Sequence, residues 1–158
     1  MAGKVKAIPE GYEGAIPYLV IKGATDALEF YKKAFDATEI MRMPAPGGKI
    51  GHAEIGIGSG IVMLADEFPE MNHKSPQSLG GTPVSILVYV PDVDAFVKRA
   101  VAAGAKAQAP VETKFYGDRS GTLEDPFGHH WHFATHVEDV PPDEMKKRAA
   151  AFMKPKGG

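Results

Sequence analysis

The sequence predicts an α+β protein of two βαβββ units, whose half-open mixed sheets each leave a concave face. Three observations predict this fold. A strand, a helix and three further strands follow one another twice in the same order. Each helical segment has apolar residues on one face only, and glycine-rich turns separate the strands. At 158 residues the chain is long enough for one domain with a substantial core.

The first unit is predicted over residues 14–66. It begins with the β-rich apolar run 15–22 and continues with a helix over 25–35, where apolar residues recur every three or four positions. The glycine-rich turn Gly58-Ser59-Gly60 then joins the last two strands of the unit. The three strands after the helix are predicted over residues 38–43, 50–57 and 61–65.

The second unit, over residues 83–136, repeats this order. An apolar strand over 83–90 precedes a helix that Asp92 is suited to cap at its start and Gly104 at its end. The helix between them carries an apolar face. Three strands follow, near residues 106–111, 116–124 and 129–136.

Three segments lie outside the units. Residues 1–13, which contain two glycines and a proline, are predicted to be a flexible lead-in. Residues 67–82 are polar and rich in Pro, Gly and Ser, which predicts a linker between the units. Residues 137–158 begin with prolines suited to a first helical turn and predict a helical tail that packs on the body or on a partner subunit. The two units and the linker together form one domain over residues 14–136.

The last strand of the second unit carries most of the histidines. Successive side chains of a strand point to opposite faces, so Trp131 and Phe133 are predicted to lie under the second helix. His130 and His132 then point into the concave face, where a ligand, water or a metal would meet them. His129 is expected to be an exposed side chain of the preceding turn.

Other candidate ligand-binding residues lie on neighbouring segments. His52 and Glu54 are two positions apart on a strand and therefore share a face. Arg119 has a planar fork of donors that suits an anionic or carbonyl group, and Asp118 precedes it. The alternative for Asp118 and Arg119 is an internal ion pair that holds the loop. Tyr116 could form an aromatic wall for a flat ligand, or belong to the core.

Composition excludes several classes of function. The chain has 18 basic and 20 acidic residues and a net charge of −2, which gives no electrostatic case for nucleic acid or an anionic membrane. No apolar run approaches the ~20 residues of a membrane span. The chain has no cysteine, which excludes disulfides and thiolate metal sites. A cytoplasmic protein is therefore expected.

Four short motifs carry a family resemblance. They are Gly51-His52-Ala53-Glu54, Tyr116-Gly117-Asp118-Arg119, Asp125-Pro126-Phe127-Gly128 and Ala134-Thr135-His136. With the paired units, they make residues 14–150 resemble the vicinal oxygen chelate superfamily, which includes glyoxalase I, extradiol dioxygenases, and fosfomycin and bleomycin resistance proteins. The PhnB-like branch is the most similar. The resemblance implies the glyoxalase fold, a homodimer that pairs units across two chains, and a ligand in the concave sheets.

The resemblance also implies where a divalent metal would bind, on the first and last strands of each unit. In this chain those positions hold Pro17, Ser85, Met63 (or Leu64 with a one-residue slip) and His132. Only His132 offers a strong ligand, because proline has no side-chain donor and thioether sulfur suits hard cations poorly. The standard metal site is therefore predicted to be absent.

Two functions follow from these observations. The first is a protein that binds a small molecule in the concave cavity without the standard metal. The alternative is a metal-dependent lyase, isomerase or dioxygenase with a shifted site made of His52, Glu54 and His132. Two imidazoles and a carboxylate are a reasonable donor set for a divalent transition metal. The cofactor thus stays open between none and a divalent metal.

Overall fold

The computed structural model describes residues 5–154 and has the predicted α+β architecture, with two four-stranded mixed sheets and helices. The first unit contains β1 (Tyr18–Ile21), α1 (Ala24–Phe35), β2 (Thr38–Ala45), β3 (Lys49–Ile57) and β4 (Gly60–Asp66). Its sheet has the order β1-β4-β3-β2. Strand β1 is parallel to β4, and the other pairs are antiparallel. Strand β1 therefore forms one edge of the sheet.

The segment predicted as a linker is folded. It contains two helical turns, Pro69–Met71 and α2 (Pro76–Leu79). Ser75 is fully buried, and its hydroxyl caps α2 by accepting from the Ser78 backbone N–H. Glu67 accepts from the Ser75 N–H at 2.9 Å and from the Ser78 hydroxyl at 2.7 Å. These bonds lower the pKa of Glu67 to about 2, and the bond from Ser75 has the largest effect. The Glu67 carboxylate is therefore ionised at neutral pH and holds the segment in place.

The second unit repeats the first. It contains β5 (Ser85–Tyr89), α3 (Val93–Ala103), β6 (Lys106–Thr113), β7 (Asp118–Glu124) and β8 (His130–His136). The sheet order is β5-β8-β7-β6, with β5 parallel to β8. Asp92 caps α3 as predicted, because its carboxylate accepts from the Ala95 N–H at 3.0 Å. Strand β5 thus lies at the edge that corresponds to β1.

The two units share one core, and this changes the environment predicted for Trp131. Phe133 contacts Phe96 of α3 as expected, with ring centroids 4.4 Å apart. Trp131 is also fully buried, but its ring contacts Tyr31 and Phe35 of α1, at 5.6 and 5.0 Å. Helices α1 and α3 pack on each other, so the helix of one unit covers part of the other unit's sheet.

Asp125 joins the two units at the centre of this core. Its carboxylate accepts from the Tyr31 hydroxyl at 2.6 Å and from the Trp131 indole N–H at 2.9 Å. It also accepts from the backbone N–H groups of Phe127 and His129. A buried carboxylate with this many donors is fully satisfied, so the turn after β7 is fixed to the first helix.

The C-terminal helix α4 (Pro142–Met153) contributes no buried residue. Arg148 holds it to the body through two hydrogen bonds to Glu138 and one to the Phe115 carbonyl, and it also bonds Glu144 within the helix. The exposed Phe152 ring lies 5.2 Å from the Phe115 ring. Within residues 5–154, no helix is long and apolar enough to cross a membrane.

Candidate functional site

A cavity of about 500 Å³ lies between the edge strands β1 and β5. One wall is the stretch that leads into β1, another is the start of β5, and the third is the segment that contains α2. The apolar part of the lining includes Ile16, Pro17, Leu79, Pro83 and Val84. Cavities of this size with mainly apolar walls are typical of small-molecule sites.

Tyr18 is one of the polar residues that line the cavity. It is the last member of a chain of hydrogen bonds on the concave face of the first sheet. The Tyr18 hydroxyl is 2.8 Å from His52 Nδ1, and His52 Nε2 is 3.0 Å from Glu54 Oε1. The Tyr12 hydroxyl donates to the other oxygen of Glu54. Glu54 is 6% exposed, and the bonds from His52 and then Tyr12 lower its pKa. The strand pair His52 and Glu54 thus shares a face, as the two-residue spacing predicted.

The direction of each hydrogen bond between Tyr18, His52 and Glu54 decides whether Tyr18 offers a donor or an acceptor to a ligand in the cavity. An ionised Glu54 can only accept, so the His52 Nε2 carries a hydrogen. When His52 is neutral, its Nδ1 accepts the Tyr18 proton, and the Tyr18 oxygen presents lone pairs to the cavity. Burial, and then the charge of Glu54, raise the pKa of Tyr18, so its hydroxyl stays protonated at neutral pH.

A second chain reaches the cavity from the other sheet. His132 Nδ1 is 3.0 Å from the Thr122 hydroxyl, and His132 Nε2 is 3.1 Å from the hydroxyl of Ser85, which lines the cavity. His130 lines the cavity directly and lies 3.6 Å from Glu124. His130 and His132 are half-buried, whereas Trp131 between them is fully buried, as strand alternation predicted.

Asp118 belongs to a separate cluster. It accepts from the Tyr89 hydroxyl at 2.6 Å and lies 2.8 Å from His136 Nδ1, while His136 Nε2 is 2.9 Å from Asp139. Burial by itself would raise the pKa of Asp118, but the bonds from Tyr89 and His136 outweigh it and lower the pKa. Bonds to Asp118 and then Asp139 raise the pKa of His136. Asp118 is held by these partners and does not line the main cavity.

The structure separates Asp118 from Arg119. They are consecutive in β7 and so point to opposite faces, and Arg119 instead makes two bonds, of 2.6 and 2.7 Å, to Asp94 of α3. Tyr116 lies in the turn before β7, 41% exposed, against Phe115. Neither Arg119 nor Tyr116 lines the main cavity.

His129 was expected to be an exposed turn residue, and the structure corrects this. Its Nε2 is 3.0 Å from the Val20 carbonyl of β1, and its side chain is half-buried. The contact spans the seam between the units and satisfies a carbonyl on the free edge of β1. His129 therefore helps to close one end of the cavity.

The donor set for a shifted metal site is not gathered in one place. His52 and Glu54 contact each other, whereas His132 contacts Thr122 and Ser85. Among residues 5–154 no group of three or more His, Asp or Glu side chains is arranged to hold a metal ion. The positions that the family resemblance implies for a metal also lack a full donor set, because Pro17 has no side-chain donor and Met63 offers only a thioether.

Several lining or supporting residues were not identified from sequence, among them Tyr12, Tyr18 and Lys74. Tyr12 lies in the predicted lead-in, and Lys74 lies in the predicted linker. The alternation of β1 could have indicated that Tyr18 points to the polar face of its strand. Its bond to His52 could not be predicted in this way, because His52 is distant in the sequence. Lys74 gives no local signal, because only the folding of residues 67–82 brings it to the cavity.

Comparison with known proteins agrees with this architecture. The model of the Glyoxalase/Bleomycin resistance protein/Dioxygenase superfamily matches residues 17–133, most of the chain. The chain belongs to this superfamily. An uncharacterized protein of Mycobacterium tuberculosis is 47% identical over 133 residues, which cover 82% of this chain and 78% of the relative.

Solved members of the superfamily share the fold. TioX from Micromonospora is 28% identical with a TM-score of 0.63, and the match covers 82% of this chain and all of TioX. The fosfomycin resistance protein FosX from Listeria monocytogenes, solved with Mn(II) and sulfate, is 17% identical with a TM-score of 0.60. That match covers 84% of this chain and 96% of FosX, and it supports the fold alone.

Proposed function

We propose that this superfamily member binds a small molecule with an apolar body in the cavity between β1 and β5, without a metal at the family's standard positions. The cavity itself carries the proposal. It has about 500 Å³ of space, apolar walls, and polar groups from both sheets that are held in place by their partners. Such a combination provides binding energy from the walls and orientation from the polar groups.

Calorimetric titration with 1-anilinonaphthalene-8-sulfonate, a small aromatic probe, tests the proposal. Val84 lines the cavity with most of its side chain exposed, so Val84→Trp should fill the space and weaken probe binding at least about tenfold. Val101→Trp is the matched control, because Val101 is an exposed valine of α3 outside the cavity. Equal binding to both variants and to the wild type would refute the assignment of this cavity.

The alternative is a metal-dependent lyase, isomerase or dioxygenase. The contact between His52 and Glu54 favours it, because an imidazole and a carboxylate 3.0 Å apart on a concave face supply two ligands or a base. Elemental analysis of untagged protein purified without added metal distinguishes the two. Stoichiometric transition metal that His52→Ala removes would favour the enzyme, and metal-free protein that still binds the probe would favour the binding function.

A further inference from the structure

We infer that the cavity between β1 and β5 takes an amphipathic anion, such as a carboxylic acid with an aliphatic or aromatic body. The inference rests on the proposed function and adds the chemical class of the ligand. Its basis is the charge of the lining. The ionisable nitrogen groups that line the cavity are Lys74, His129 and His130, and among the described residues no carboxylate joins them.

Lys74 is the group that would meet the negative charge. It is exposed at the cavity, and within residues 5–154 it has no acidic partner within 4 Å. A lysine that faces an apolar cavity without a counter-charge makes an anionic ligand more favourable than a neutral or cationic one.

Four carboxylates that contact lining residues or their neighbours already have partners, namely Glu54, Glu67, Glu124 and Asp125. Glu54 lies behind the His52 ring and accepts bonds from His52 and Tyr12. Glu124 lies 3.6 Å from His130 and does not line the cavity. None of these carboxylates lines the cavity, so the Lys74 ammonium is the charged group of the lining.

Hydroxyl groups add donors for the same ligand. The Thr82 oxygen accepts from the Val84 N–H at 3.2 Å, which leaves its own proton available to donate. Tyr18 differs, since its oxygen presents lone pairs when His52 is neutral. The acid group is therefore placed at Lys74 and Thr82, and the apolar body lies against Ile16 and Leu79.

Calorimetric titration at pH 7 with three eight-carbon probes tests the inference: octanoate, 1-octanol and octylammonium. We expect octanoate to bind about twofold to fivefold more tightly than octanol, as for a partly exposed charge pair, and octylammonium more weakly than both. Lys74→Gln should reduce octanoate affinity to that of octanol and leave octanol unchanged. Lys98→Gln, at an exposed lysine of α3 outside the cavity, is the control and should behave like the wild type.

The outcomes separate this inference from the proposed function. If no probe binds, or Val84→Trp leaves the binding of all three unchanged, the proposed function fails and the inference fails with it. If all three bind equally, or octylammonium binds best, the inference is overturned while the cavity remains a binding site. A preference for octanoate that survives in Lys74→Gln, with an unchanged melting temperature, overturns the role of Lys74.

Discussion

At the scale of the residue, Trp131 and His132 are adjacent in β8 and yet have opposite environments. Trp131 is fully buried and bonded to Asp125, whereas His132 is half-buried and reaches the cavity through Ser85. The pleat of the strand produces this contrast, because one residue step turns the side chain to the other face. Adjacent substitutions can therefore separate stability from binding.

Replacing Trp131 by alanine should lower the free energy of unfolding by about 3–5 kcal/mol, through the lost packing of a fully buried ring. His132→Ala should leave most of that stability intact but weaken binding of the aromatic probe, because Ser85 loses the partner that orients it. Chemical denaturation and calorimetry of both variants measure the two effects. Equal losses of stability, with binding unchanged in His132→Ala, would make β8 purely structural.

His136 predicts a pH dependence of stability. Its folded pKa is raised by Asp118 and then Asp139, so its contribution is fully present below the unfolded value of about 6.5 and is lost as pH rises through the folded pKa. Asp118 acts oppositely, because its lowered pKa gives a contribution that is lost only in acid. The melting temperature of the wild type should therefore fall between pH 6 and pH 8 by more than that of His136→Asn. A constant difference between the two proteins over this window would contradict the assignment.

At the scale of the element, the turn from β7 to β8 joins the core to the wall of the cavity. Gly128 has a positive φ of 89°, and a Cβ placed there would lie 2.9 Å from the Pro76 Cβ of α2. The turn and α2 are thus packed so closely that only glycine fits. The cavity wall depends on this contact, since Pro76 also lines the cavity.

Gly128→Ala should cost about 1–3 kcal/mol of stability, because it combines an unfavourable φ with a clash against Pro76. It should also weaken probe binding by displacing α2. Gly58→Ala is the matched control, since Gly58 has a positive φ of 59° but nothing within 4 Å of the added Cβ. It should show the backbone cost alone and bind the probe normally. The same loss of binding in both variants would show that α2 does not shape the site.

At the scale of the whole molecule, the two units share a core, but each sheet leaves part of its concave face uncovered. Leu87 and Tyr89 of β5 are 53% and 57% exposed, and Met41 and Met43 of β2 are also exposed. Large apolar side chains left exposed on sheet strands are typical of surfaces that another protein covers. We propose that a second copy of the chain covers Leu87 and Tyr89 of β5.

The protein should therefore sediment as a homodimer at micromolar concentration. Leu87→Glu should shift it toward the monomer, because a charge would be buried in the interface. Val101→Glu, at an exposed position of α3, should leave the assembly unchanged. Analytical ultracentrifugation distinguishes these outcomes, and a wild-type monomer at that concentration would overturn the proposal.

The sequence could predict the order of elements and the faces of the strands. Asp92 at the start of α3, the shared face of His52 and Glu54, and the burial of Trp131 all follow from local chemistry or from a period of two. It could not predict that Trp131 packs on α1, that Asp118 and Arg119 have separate partners, or that Lys74 reaches the cavity. These contacts join residues that are distant in the chain.

The sequence by itself determined the fold class and the order of elements in the two βαβββ units. The spacing of apolar residues in strands and helices is a local property of the chain, and so is the identity of each side chain. Both can therefore be taken from the sequence alone. The tertiary structure decided where the cavity lies, which hydroxyls line it, and which acids are already paired. Those properties depend on how β1, β5 and α2 approach one another, because a site is formed by distances between segments that no local pattern encodes.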